Sequence, residues 1–126
     1  MNQKVGGEMK IIFFGLLAMY FVSNVAAQDS PCGPESMKGP LRLLIPQQSF
    51  GADFRAACRA HDACYDTPGN VRSSCDAQFR SNLLDTCQYS EHPQLCRATA
   101  RNMARSTSLS GRKAFERAQQ SARNFR

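Results

Sequence analysis

Six cysteines, at positions 32, 58, 64, 75, 87 and 96, constrain the fold of this sequence more than any other feature. The chain has 126 residues, enough for one domain with a modest core, so covalent cross-links carry weight. An even number of cysteines this close together implies three disulfides in an oxidising compartment, or thiolate metal ligands in a reducing one. Six cysteines can pair in about 15 ways, and spacing does not choose among them. Which chemistry applies depends on where the chain resides.

The N-terminus addresses that question. Lys4 and Lys10 make a positive start, and the uncharged apolar run at residues 11–22 follows. Val25-Ala26-Ala27 places small residues ahead of the polar Gln28-Asp29-Ser30. This is the three-part pattern of a secretory signal peptide, with cleavage expected after Ala27. The other reading, an uncleaved anchor, needs roughly 20 apolar residues, which this run does not reach. All six cysteines follow residue 27, so export makes disulfides the expectation. A zinc site from Cys58, His61 and Cys64 is disfavoured, since an oxidising compartment would consume its thiolates.

Charge is unevenly spread. The whole chain is formally +6, yet residues 28–96 hold six basic and eight acidic residues, net −2. Residues 97–126 hold eight basic residues and only Glu116, net +7. The reading is a near-neutral cysteine-rich body, 28–96, and a basic helical extension of the same domain, 97–126. At 42% hydrophobic the chain is neither collagen-like nor wholly disordered.

Residues 28–49 are rich in Pro, Gly and Ser and read as loop, with one apolar stretch at Leu41–Ile45 that is either core or a lipid-entry surface. From Phe50 to Tyr65 the apolar and cysteine positions recur at helical spacing, placing Phe54, Cys58, His61, Cys64 and Tyr65 on one face. Residues 66–70 form a turn. Ser73 or Ser74 is expected to cap a second helix ending near Cys87. Further helices are expected at 94–105 and 112–124, with no strand. Two helices joined by a short turn lie antiparallel.

The chemistry concentrates in Cys58-Arg59-Ala60-His61-Asp62-Ala63-Cys64-Tyr65. His61 lies three residues after one cysteine and three before another, so a helix sets both sulfurs beside the imidazole. Asp62 follows directly, and Cys75-Asp76 opens the next helix. A bridge from Cys64 to Cys75 would bring Asp76 within reach of His61. A histidine oriented by a buried carboxylate is a general base for water. A second carboxylate beside it suits a hard cation. His92, alone before Pro93, reads as a surface residue.

The octapeptide Cys-x-x-His-Asp-x-Cys-Tyr resembles the active-site helix of secreted phospholipase A2. Cys32-Gly33 is similar to the core of that family's calcium loop, and Cys75-Asp76 to the pair on its second long helix. Ile45-Pro46 and positions from Cys58 to Cys87 are especially similar to the group XII and related bacterial branch, and the resemblance covers about residues 31–88. The resemblance implies an all-α, disulfide-stapled domain with two long antiparallel helices, an N-terminal calcium loop and additional C-terminal helices. It implies His61 as general base, Asp76 as its carboxylate partner, Tyr65 as a donor to Asp76, and the Gly33 amide at the oxyanion. It assigns calcium to Asp62 and to the carbonyls of Pro31, Gly33 and Glu35. The implied bridges are Cys32–Cys58, Cys64–Cys75 and Cys87–Cys96. Glu35 departs from the family's second loop glycine, Ala57 replaces a frequent extra cysteine, and no residue matches the further Tyr that often supports the Asp.

These residues imply a secreted, calcium-dependent enzyme that hydrolyses the sn-2 ester of glycerophospholipids. The alternative is a non-catalytic relative acting on membranes or receptors; such relatives commonly lose the His or Asp that this chain keeps. The expected partner is a phospholipid surface, preferably anionic given the basic tail. A monomer is expected. Nucleic acid is not, since the tail has only Phe115 and Phe125 among its basic residues.

Overall fold

Residues 50 and 51 decide where the first helix begins. Phe50 (φ +49°) and Gly51 (φ +86°) are both left-handed. That is the backbone of a two-residue turn between antiparallel strands. It pairs Ser49 with Ala52 and Gln48 with Asp53, so β1 (Gln48–Ser49) and β2 (Ala52–Asp53) form a small hairpin. The Pro-free stretch from Phe50 is therefore not all helix, and the expectation of no strand is corrected. The Phe50 carbonyl accepts from the Glu91 amide, and His92 packs edge-on to the Phe50 ring at 5.3 Å.

The computed structural model describes residues 30–34, 36–37 and 39–125. The expected signal peptide at 1–27, and Glu35, lie outside them. A six-residue 3₁₀ helix, Gly39–Leu44, precedes the hairpin. Four α-helices follow it: α1 (Arg55–Asp66), α2 (Arg72–Thr86), α3 (Pro93–Ser110) and α4 (Arg112–Asn124). The result is a small, disulfide-rich all-α fold carrying one minimal hairpin.

Asp53 sets the start of α1. Its Oδ1 accepts the Arg55 amide at 3.0 Å, and its carboxylate pairs with the Arg55 guanidinium at 2.8 Å. The bond to Arg55 holds the Asp53 carboxyl below the usual aspartate range. Loss of such an N-terminal acceptor typically costs about 1 kcal/mol, so Asp53→Ala should lower the urea midpoint accordingly. An unchanged midpoint would mean the bond contributes nothing.

Neither Ser73 nor Ser74 caps α2. The preceding residue is the extended Val71 (ψ 125°), with no side-chain cap bond. Helix α3 exceeds its expected span at both ends. Pro93 occupies its first turn, where a missing N–H costs nothing. Beyond Arg105, the Ser110 hydroxyl bonds back to the Ser106 carbonyl, and Arg72 holds the Ser108 carbonyl at 2.9 Å. Polar residues that resemble a linker are thus held helical by tertiary contact.

Three disulfides close the fold: Cys32–Cys58, Cys64–Cys75 and Cys87–Cys96. This pairing is the one implied by the resemblance, and it fits an oxidising compartment. Cys64 joins Cys75 while His61 contacts Phe79 farther along, so α1 and α2 run antiparallel. Phe54, Phe79 and Leu83 fill the core with Ala57, Ala100 and Ala104, whose small side chains let the helices approach. Leu41, Leu43 and Leu44 are not core: they are 59%, 82% and 74% exposed. Only Ile45 of that stretch packs against the interior. Among the described residues, no helix is long and apolar enough to cross a membrane.

Candidate active site

Helical spacing aims His61 and Tyr65, one turn apart on α1, at the same face of α2. Both are buried, and so is Asp76, near the start of α2. His61 Nε2 lies 2.9 Å from Asp76 Oδ1. Tyr65 donates its hydroxyl to the same oxygen at 2.7 Å. An ionised Asp76 can only accept, so Nε2 is the donor of this bond and Nδ1 is the ring nitrogen that the bond leaves unengaged. No buried side-chain polar atom among the described residues lacks a partner, so the ionisable cluster is internally satisfied. The imidazole is flanked by Tyr65 and Phe79, with ring centroids 4.2 and 4.6 Å away. These walls restrict its rotation.

The second oxygen of Asp76 has a partner that sequence reasoning missed. Arg72, one turn earlier on α2, places Nη1 3.4 Å from Oδ2. The same nitrogen donates to the Ser108 carbonyl at 2.9 Å, tying α2 to the end of α3. Among the described residues no second tyrosine bonds Asp76; a guanidinium takes the remaining oxygen.

Tyr65 is fixed from behind by α4. Phe115 stacks edge-on to its ring at 5.1 Å. Gln119, buried, donates to the carbonyls of Tyr65 (2.7 Å) and Thr67 (2.8 Å) and accepts the Gly69 amide at 3.0 Å. One side chain thus satisfies the frayed C-terminal end of α1. A Cβ on Gly111, between α3 and α4, would sit 2.8 Å from the Tyr65 hydroxyl, so a larger residue there would displace it. The basic C-terminal segment is therefore part of the packing around Tyr65, as its charge pattern alone does not show.

Burial first, and then the Asp76 carboxylate, push the Tyr65 phenol well above the usual tyrosine range. A group raised in the folded state contributes stability that is present below its unfolded value and lost as pH rises through the folded one. Stability should therefore decline above about pH 10, the ordinary tyrosine value. Tyr65→Phe should flatten that decline in urea titrations across this range. An equally steep decline in Tyr65→Phe would mean another group is responsible.

Asp62 is exposed on α1, one turn beyond Cys58. The Cys32–Cys58 bridge, with Cα atoms 5.1 Å apart, anchors the 30–37 loop to that part of the helix. Gln47 clamps Cys32 on both sides, accepting its amide (3.1 Å) and donating to its carbonyl (3.0 Å). Arg42 donates to the carbonyls of Ser30, Pro34 and Met37. Among the described residues this leaves the carbonyls of Pro31 and Gly33 without donors. Gly33 has φ +108°, and a Cβ there would meet Ile45 at 3.2 Å.

In chemical type alone, the Asp62 carboxylate and the loop carbonyls are the oxygen donors that calcium takes. Among the described residues no three His, Cys, Asp or Glu gather as ligands. Glu35, the remaining ligand implied by the resemblance, is not among the described residues.

What fold and site define together is a small disulfide-stapled helical protein with a buried His–Asp–Tyr cluster between α1 and α2. No family model, curated protein or solved structure matches the chain.

Proposed function

We propose that this protein is a secreted, calcium-dependent phospholipase A2 that releases the sn-2 fatty acid of glycerophospholipids. The observation that carries this reading is the buried His61–Asp76 bond at 2.9 Å, with Nδ1 left as the available base. In this reading His61 Nδ1 takes a proton from water as the oxygen attacks the ester carbonyl. Asp76 stabilises the imidazolium that results, and Tyr65 and Arg72 hold Asp76 in place. The proton on Nδ1 then passes to the departing glycerol oxygen, so one water becomes one acid and one alcohol. The Gly33 amide is assigned to the developing oxyanion. Asp62 and the carbonyls of Pro31, Gly33 and Glu35 would hold calcium, which would supply Lewis-acid polarisation of the ester carbonyl.

Two further observations support a lipid substrate. Leu41, Leu43 and Leu44 present an exposed apolar strip on the segment following the loop. The C-terminal charge favours anionic surfaces, at about 1 kcal/mol per basic residue near the membrane. Export rests on the sequence pattern before Ala27 and on the three bridges.

The test is fatty-acid release from phospholipid vesicles with calcium and with a chelator. Release that requires calcium is the expected result. Asp62→Asn should raise the calcium needed for half-maximal rate by about tenfold or more, because ligand charge sets calcium affinity. Wild-type protein that is inactive in saturating calcium would defeat the reading and favour a non-catalytic scaffold.

A further inference from the structure

Away from the His61 cluster, Arg80 on α2 and Arg101 and Arg105 on α3 line one groove, with Ala104 and Ser108. Arg101 and Arg105 are one turn apart, and like charges at that spacing weaken a helix. Among the described residues no carboxylate of α1, α2, α3 or α4 forms an ion pair with them. Helix α3 contains no acidic residue. Of the two carboxylates on α2, Asp76 is buried and committed to His61, Tyr65 and Arg72, while Asp85 pairs with none of the three arginines. The one acid on α4, Glu116, pairs with Arg112. The side chains of Arg80, Arg101 and Arg105 make no hydrogen bond or ion pair among the described residues. Ala104 is buried beneath them, giving the groove an apolar floor.

We infer that this groove is a binding site for a phosphate group, either that of a lipid headgroup or a free phosphate. Guanidinium forks match phosphate oxygens in pairs, and charge-assisted bonds of this kind are the strong ones. A doubly charged phosphate would remove the repulsion that the three arginines impose on one another. Ser108 lines the same groove and adds a hydroxyl at its end. The site does not use His61, so it stands or falls separately from the hydrolase reading.

The experiment uses the full mature chain without calcium. Binding of inorganic phosphate is measured by calorimetry. Binding to phosphatidylcholine vesicles with and without phosphatidic acid is measured by co-sedimentation. The variant is Arg80→Gln/Arg101→Gln/Arg105→Gln, and the charge-matched control is Lys113→Gln/Arg117→Gln/Arg123→Gln on α4. All six positions are exposed, so both variants should fold. The groove variant should bind roughly a hundredfold more weakly, and the control far less so. A groove-dependent loss with phosphate identifies a free-phosphate site; one seen only on phosphatidic acid vesicles identifies the lipid headgroup. Equal losses in the two variants would reduce the effect to net charge and overturn the proposal, as would wild-type protein that binds neither.

Discussion

On the proposed hydrolase reading, His61→Gln should leave a folded protein whose fatty-acid release falls by about 10²–10⁴-fold, the usual contribution of a positioned general base. The physical basis is narrow. Nε2 is engaged with Asp76, so Nδ1 is the nitrogen that the proposed reading makes the base, and glutamine has no basic nitrogen to replace it. Glutamine can still donate to Asp76 through its amide, and Asp76 keeps Tyr65 at 2.7 Å and Arg72 at 3.4 Å. The stability cost should therefore be about 1–3 kcal/mol, that of one altered buried hydrogen bond. Thermal melting and turnover are measured on the same preparation. Retained turnover would remove His61 from the chemistry. A variant that does not fold would identify the histidine as a structural core residue and not a base.

The second large effect concerns the loop. Cys32→Ser with Cys58→Ser opens a closure of 26 residues, the longest of the three. Chain entropy assigns that bridge about 3.5 kcal/mol, against roughly 2.8 and 2.6 for the two shorter ones. For a domain of this size the loss corresponds to a fall in Tm of about 15–25 °C. On the proposed reading it should be accompanied by a larger calcium requirement, since the Gln47 and Arg42 hydrogen bonds tie the loop to residues 42–47 and not to α1. Differential scanning calorimetry, with and without calcium, separates the two consequences. A double variant that melts like wild type would show that the loop is held by its hydrogen bonds alone. A variant that melts early but keeps its calcium response would detach the loop from the metal site.

These effects can be stated because much of the site is written in local spacing. Cys58, His61, Asp62, Cys64 and Tyr65 belong to one helix, and a helical repeat places them without knowledge of the rest of the chain. Helix α4 falls on its expected residues for the same reason. The hairpin was not legible, because Phe50 takes a left-handed backbone that is uncommon for a bulky residue. Its turn docks on Ser90 and Glu91, far away in sequence.

Arg72 and Arg80 mark the boundary most clearly. Each lies one helical turn from Asp76, on opposite sides, so spacing permits either to pair with it. The structure selects Arg72, because the end of α3 brings the Ser108 carbonyl to the same guanidinium. Arg80 is left facing Arg101 and Arg105. Likewise, nothing local predicts that Gln119 closes the end of α1 or that Gly111 makes room for Tyr65, since both contacts join distant parts of the chain. By itself the sequence determined the helical face that carries His61, the carboxylates available to it and the segment that the cysteines could staple. Only the tertiary structure decided which arginine neutralises Asp76, what stands behind Tyr65 and which loop carbonyls remain available. Those choices follow from how whole helices dock, a property of summed packing that no short stretch of sequence contains.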